Sequence, residues 1–214
     1  VTANKVDYTR QEPVLPEPDS STFSEEDLQT ALHMIKKAKK PYIFVGGGAI
    51  ISGAGEELKE FVEKVDAPVT DTLMGKGAYD GTSDNYTGML GMHGTKTSNF
   101  GVSGCDLLIV IGARFSDRVT GNAKRFAEKA KILQIDIDVA EMNKNVMIDC
   151  GVVGDIKEVL TLINERLPKQ NHDEWIRKIQ EYKQKYPLTY HPDILTGPFV
   201  VEEIYRQTKG EALI

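Results

Sequence analysis

Cysteine is scarce and unpatterned in this chain. Cys105 and Cys150 are the only two among 214 residues; they form no C-x-x-C, and no histidine stands at metal-ligand spacing from them. That argues against a disulfide framework or a zinc site and fits a reducing, cytoplasmic setting. No metal ligand set is expected. Long apolar runs are also missing: none approaches the about 18 residues that cross a bilayer, and the chain does not open on a charged-then-apolar leader, so no membrane partner is expected. An excess of positive charge is absent. The formal net charge is −6, whereas a nucleic-acid groove needs concentrated Lys and Arg, so no nucleic-acid partner is expected. The one basic cluster, Lys36–Lys40, stands where a helix ends and cations meet the carbonyl end of its dipole. There is no initiator methionine, which reads as a processed or excised chain, and Ile214 closes an apolar run as if cut inside a strand.

What is present is ordinary for a globular protein. Forty per cent of the residues are hydrophobic and 27% charged, and Trp175 is the single tryptophan. A domain of this size buries roughly 70% of its unfolded surface, enough for a core without staples.

Taken in order, residues 1–21 hold Pro13, Pro16 and Pro18 with few apolar residues, the composition of an extended linker. Ser24 followed by Glu25, Glu26 and Asp27 is a helix start, and Leu28, Ala31, Leu32, Ile35 and Ala38 fall on one helical face. Tyr42–Val45 is a buried strand that runs into Gly46, Gly47 and Gly48, and a helix over Glu56–Val65 follows with Leu58, Phe61, Val62 and Val65 inside. The glycines serve either as a tight strand-to-helix turn or as a backbone that lets a ligand come close; they do not make the G-x-G-x-x-G fingerprint.

Pro68–Thr70 is a brief strand. Asp71–Gly94 then runs with six glycines and no sustained period, a length that marks a functional loop rather than a connector. Met74, Met89, Met92 and His93 within it read as core filler on residue type alone. A helix over Thr95–Ser103 precedes a strand at Asp106–Ile111, while Phe126–Lys129 is too short to assign. Further strands are expected at Ile132–Ile137 and Met147–Val153. Asp136 stands where a strand-end carboxylate can accept from a ribose hydroxyl, and Asp138 where it caps the turn after it. Asp155 is an N-cap by spacing for a helix over Ile156–Arg166. Beyond Pro168–His172 come a polar helix marked by Trp175, Ile179 and Tyr182, a proline-bearing linker and a short helix at Phe199–Thr208. The alternation of strand and helix predicts an α/β fold with a doubly wound, mainly parallel sheet flanked by helices.

Leu107–Gly121 concentrates the chemistry. An apolar run breaks at Gly112 into Arg114, Asp117 and Arg118, so charge collects where a buried strand ends, the place where ligands bind in open α/β sheets.

The motifs VGGGA, TLMGKGAYD, LGMHGT, IGARFSDRVTG, KILQIDID and GVVGDIKEVL, in that order, resemble the central domain of the acetohydroxyacid (acetolactate) synthase large-subunit family. The resemblance implies a Rossmann-like FAD-binding domain over 22–168, with 1–21 leading from an upstream domain and 169–214 forming a helical linker and the start of the next. It implies an enzyme that uses thiamine diphosphate and Mg²⁺ to join a two-carbon unit from pyruvate to a second 2-oxoacid, in branched-chain amino acid synthesis. FAD does no net redox chemistry in that family, and the form of ARFSDRVTG matches the biosynthetic members. Carried across, Gly47, Thr72, Leu73, Leu90, Gly91, Met92, His93, Gly112, Ala113, Arg114, Phe115, Ser116, Asp136, Ile137, Asp155 and Ile156 are implied to meet FAD. Ser116 departs from the Asp common in relatives. Arg118 is implied to hold the carboxylate of the second oxoacid with Asp117 orienting it; without the resemblance the two read as a surface pair.

The family's thiamine-activating glutamate and its Mg²⁺-binding run belong to flanking domains. This chain is therefore expected to have no catalytic residue of its own, no hold on thiamine diphosphate or Mg²⁺ and no synthase activity alone, and to fold but bind FAD weakly or not at all when isolated. The implied partners are the flanking thiamine-binding domains, a homo-oligomer and a regulatory small subunit. Competing classes are a nicotinamide-nucleotide domain of an oxidoreductase or deacylase, and a non-catalytic scaffold.

Overall fold

The computed structural model describes residues 23–191 and 193–212. The expected linker 1–21 and the readings on Val1 and Ile214 lie outside the described residues. In chain order the elements are α1 (Glu25–Lys37), β1 (Pro41–Val45), α2 (Gly47–Ile51), α3 (Gly55–Val65), β2 (Val69–Asp71), β3 (Tyr86–Met89), α4 (Lys96–Gly104), β4 (Leu107–Ile111), α5 (Asp117–Thr120), β5 (Lys131–Asp136), β6 (Cys150–Val153), α6 (Ile156–Arg166), α7 (Asp173–Lys185) and α8 (Gly197–Thr208). No helix among the described residues is long and apolar enough to cross a membrane.

The six strands make one sheet in the order β3-β2-β1-β4-β5-β6, with every pairing parallel. Every residue of β1 and β4 is buried, because helices cover both faces. Alternate side chains feed two cores. Ile43, Val45, Ile109 and Ile111 pack with α1, α3 and α6, whereas Tyr42, Phe44, Leu108 and Val110 pack with Val102 of α4 and Trp175 and Ile179 of α7. This order reverses direction between β1 and β4, the arrangement that opens a crevice at the carboxyl ends of those two strands.

Local chemistry explains the helix ends. Ser24 accepts the Asp27 N–H at 3.0 Å, acids fill the first turn of α1, and Lys36 and Lys37 fill its last, so that part of the basic cluster meets the carbonyl end of the helix. Asp155 caps α6 by accepting from the Lys157 and Glu158 N–H groups. Helix α7 is fixed by Trp175, whose Nε1 donates to the Pro41 carbonyl at 2.9 Å and whose ring meets Tyr42 edge-on. The Tyr42 hydroxyl reaches Thr87 at 2.7 Å and joins a buried set with Ser98, and burial raises its pKa. Cys105 and Cys150 are both buried and unpaired, their thiols pushed up to about 12 and about 11, chiefly by burial.

Three local expectations are corrected. The glycine turn does not lead directly into the helix expected at Glu56: the five-residue α2 intervenes. The stretch read as a long functional loop, Asp71–Gly94, contains β3, an edge strand hidden because Gly88 at φ +89° interrupts its side-chain pattern and its pairing to β2 shifts register. The strand expected over Met147–Val153 is confined to Cys150–Val153. Before it, the Asn143 side chain captures the Ile148 N–H, and at Asp149, whose N–H donates to the Ile132 carbonyl, the side-chain carboxylate takes the Ile132 N–H in return.

Candidate functional site

The crevice floor is made of backbone. At the end of β1, Gly46 donates its N–H to the Ile111 carbonyl at 2.8 Å, and Gly48 donates to the Gly112 carbonyl at 3.1 Å. A Cβ on Gly46 would fall 2.2 Å from the Gly112 oxygen. On Gly112, held at φ +57°, it would fall 2.5 Å from Ile156 Cδ1 and 2.8 Å from the Gly48 Cα. Only glycine permits the two strand-end loops to touch in this way.

Above that floor lies a cavity of ≈ 620 Å³, within the range of small-molecule sites. Of the residues implied by sequence, Gly47, Thr72, Leu73, Leu90, His93, Gly112, Ala113, Arg114, Ser116, Arg118, Asp136 and Ile137 line it. They come from the ends of β1, β2, β3, β4 and β5, which is why the topology and not sequence proximity assembles them. Thr72 accepts the Gly75 N–H at 3.0 Å and shapes the turn that sets Leu73 and Met74 at the mouth, 69% and 73% exposed.

The walls differ in charge. The loop after β4 contributes Arg114 and Arg118, both exposed and without an ion pair among the described residues. The end of β5, the strand next to β4, and the loop after it carry Asp136, Asp138 and Glu141. Asp136 is 8% exposed; its carboxyl is raised above the ordinary range, chiefly by burial, although it accepts the Asp138 N–H at 3.1 Å. Asp138 caps the following turn through the Ala140 N–H, as its position implied. Glu141 is paired with Lys144 at 2.7 Å.

Six implied residues stand off the lining. Phe115 is buried against Phe126, and Ile156 is in the core. Asp155 spends its carboxylate on the α6 cap and on the Ser52 hydroxyl at 3.1 Å. Gly91 and Met92 belong to the loop after β3, Met92 turned outward and 67% exposed. Asp117 accepts the Arg118 backbone N–H at 2.9 Å rather than its guanidinium, so the orienting contact expected between those side chains is not formed.

Sequence reasoning missed Ile51, Met74, Met89, Val119 and Glu141 as lining residues. Met74 and Met92 were expected in the core; the turn at Leu73–Gly75 and the left-handed Gly91 expose them instead. Glu141 carried a usable signal, an acid just beyond a strand-end Asp, whereas the apolar residues carried none.

The sequence matches known proteins. A family model described as "Thiamine pyrophosphate enzyme, central domain" matches residues 28–163. The chain is 42% identical over 180 residues to the acetolactate synthase large subunit of Cyanidium caldarium, covering 80% of this chain and 31% of that one. It is 40% identical over 195 residues to that of Haemophilus influenzae, covering 87% and 34%. It is 47% identical over 160 residues to the probable acetolactate synthase large subunit of Methanocaldococcus jannaschii, covering 73% and 27%. The chain thus spans about a third of the length of these relatives.

Proposed function

The chain belongs to the thiamine pyrophosphate enzyme central domains, and from that premise we propose that it is the central domain of a cytoplasmic acetolactate synthase large subunit. In this reading the cavity holds FAD and one side of it opens on the channel of the second 2-oxoacid. The observation that supports it is the two-signed cavity over a glycine floor. Arg114 offers forked, permanently charged donors suited to phosphate, Asp136 offers a desolvated carboxylate suited to sugar or ribityl hydroxyls, and the glycine backbone leaves room for a flat, extended ligand. FAD, when bound, supplies no net redox chemistry in this reading. Arg118, on the same loop and without an ion pair among the described residues, takes the carboxylate of the second oxoacid in a bidentate grip.

Decarboxylation belongs to flanking domains that carry thiamine diphosphate and Mg²⁺, and the assembled protein works as a homo-oligomer with a regulatory small subunit. The test compares the polypeptide that carries this chain between its flanking domains with the chain alone. The former is expected to co-purify with flavin and to form acetolactate from pyruvate; the latter forms none and retains flavin weakly or not at all. Acetolactate from the chain alone, or tight flavin retention by it, overturns those two expectations. A whole polypeptide without flavin that is stabilised by NAD replaces the reading with a nicotinamide one.

A further inference from the structure

Helix α5, which carries Arg118, is a single turn with no buried residue, and a helix that short is not stable by itself. One tie from outside α5 is a hydrogen bond from the Met92 N–H to the Arg118 carbonyl at 2.8 Å. Met92 follows Gly91, which sits at φ +96° against α5: a Cβ there would fall 2.4 Å from that same carbonyl oxygen. Glycine is the residue least able to hold its own conformation, so something else must fix this peptide.

Asn99, half-buried on α4, does so. Its Oδ1 accepts the Gly91 N–H at 3.3 Å, and its Nδ2 donates to the Gly91 carbonyl at 3.1 Å and to the Thr95 carbonyl at 2.9 Å. A single carboxamide thereby engages both polar groups of the glycine. The loop it clamps supplies Leu90 and His93 to the cavity, and the loop beyond supplies Arg118 and Val119.

We infer that Asn99 is a positioning residue: by clamping the Gly91 peptide it holds the Met92 N–H under the Arg118 carbonyl and so sets where α5 presents the Arg118 guanidinium. The substrate consequence rests on the function proposed above; the mechanical coupling does not. Asn99→Leu removes both halves of the clamp at similar size. Asn99→Asp keeps the acceptor but sets a second carboxylate oxygen against the Gly91 and Thr95 carbonyls.

The experiment uses the whole polypeptide. In both variants, amide exchange should quicken about tenfold, the scale of one net hydrogen bond, at Met92 and at Thr120 and Gly121, while β1 and β4 stay protected. KM for the second 2-oxoacid should rise by a similar factor with kcat little changed, and Asn99→Leu should add no further rise in an Arg118→Gln background. Quickening confined to residues 91–94, or full additivity with Arg118→Gln, overturns the inference. An Arg118→Gln variant with unchanged KM overturns the substrate role of Arg118 instead, and the exchange at Thr120 and Gly121 then decides the coupling by itself.

Discussion

Asp136 is under opposing demands. Burial raises its carboxyl above the ordinary range, so the folded state holds the proton more tightly than the unfolded chain does. The stabilisation this gives is complete below the unfolded carboxyl's value and is lost as pH rises through the raised one, so at neutral pH the ionised group strains the fold. Asp136→Asn, which keeps the oxygen that accepts the Asp138 N–H, is expected to raise the melting temperature at neutral pH. That gain should fade as pH falls toward about 4, and flavin affinity should drop. A lower melting temperature at pH 7 would contradict this account. Gly112 tests the floor in a different way. Gly112→Ala meets both a positive φ and three contacts under 3 Å, and denaturant unfolding should show a loss of about 2–5 kcal/mol; a loss under about 0.5 kcal/mol would mean that the loops part easily. At this scale Arg114, Arg118 and Asp136 were legible because charge at the end of an apolar strand is a strong signal. Asp155 was legible as a cap from spacing, and the structure places it there. Met74, Met89 and Val119 were not, since whether an apolar side chain faces a core or a cavity depends on turns that residue type does not encode.

Among elements, those legible in the sequence are the ones long enough to show a period. Helices α1, α3 and α6 and strands β1, β4 and β5 lie where their apolar spacing predicted. Helices α2 and α5, of five and four residues, are too short to show one, and β3 lacked alternation because of Gly88. Helix α7 was legible as a helix of polar composition, yet its Trp175 is 5% exposed and its Ile179 1%. The packed core therefore runs on past position 168. Truncating that anchor should be costly: Trp175→Ala is expected to lose about 3–5 kcal/mol in denaturant unfolding, with Trp175→Phe losing less because it gives up the bond to Pro41 but keeps most of the packing. Equal losses in the two variants would place the energy in the hydrogen bond instead.

For the molecule as a whole, the alternation of strand and helix was enough to predict a parallel sheet, but not the order of its strands. β1 pairs with β4 across more than sixty intervening residues, and no local pattern records that. The order has a dynamic consequence: β1 and β4 are bonded on both sides and covered on both faces, whereas β3 is an edge and α8 buries no residue. Amide exchange should accordingly be slowest in β1 and β4 and fastest in α8; protection of α8 equal to that of β4 would show that it has a partner the described contacts do not include. The touching loops at Gly46 and Gly112 also bear on how this cavity can be re-engineered. Although 66 positions apart in sequence, the two glycines behave as one locus: a side chain at Gly46 would press on Gly112 and Ala113 and one at Gly112 on Gly48, Ala49 and Ile156, so each drives the same two loops apart and their substitutions should be strongly non-additive. A library seeking new ligand preferences would hold both invariant and spend its diversity on the rim, at Leu73, Met74 and Ile137, where exposed side chains can change without touching the floor.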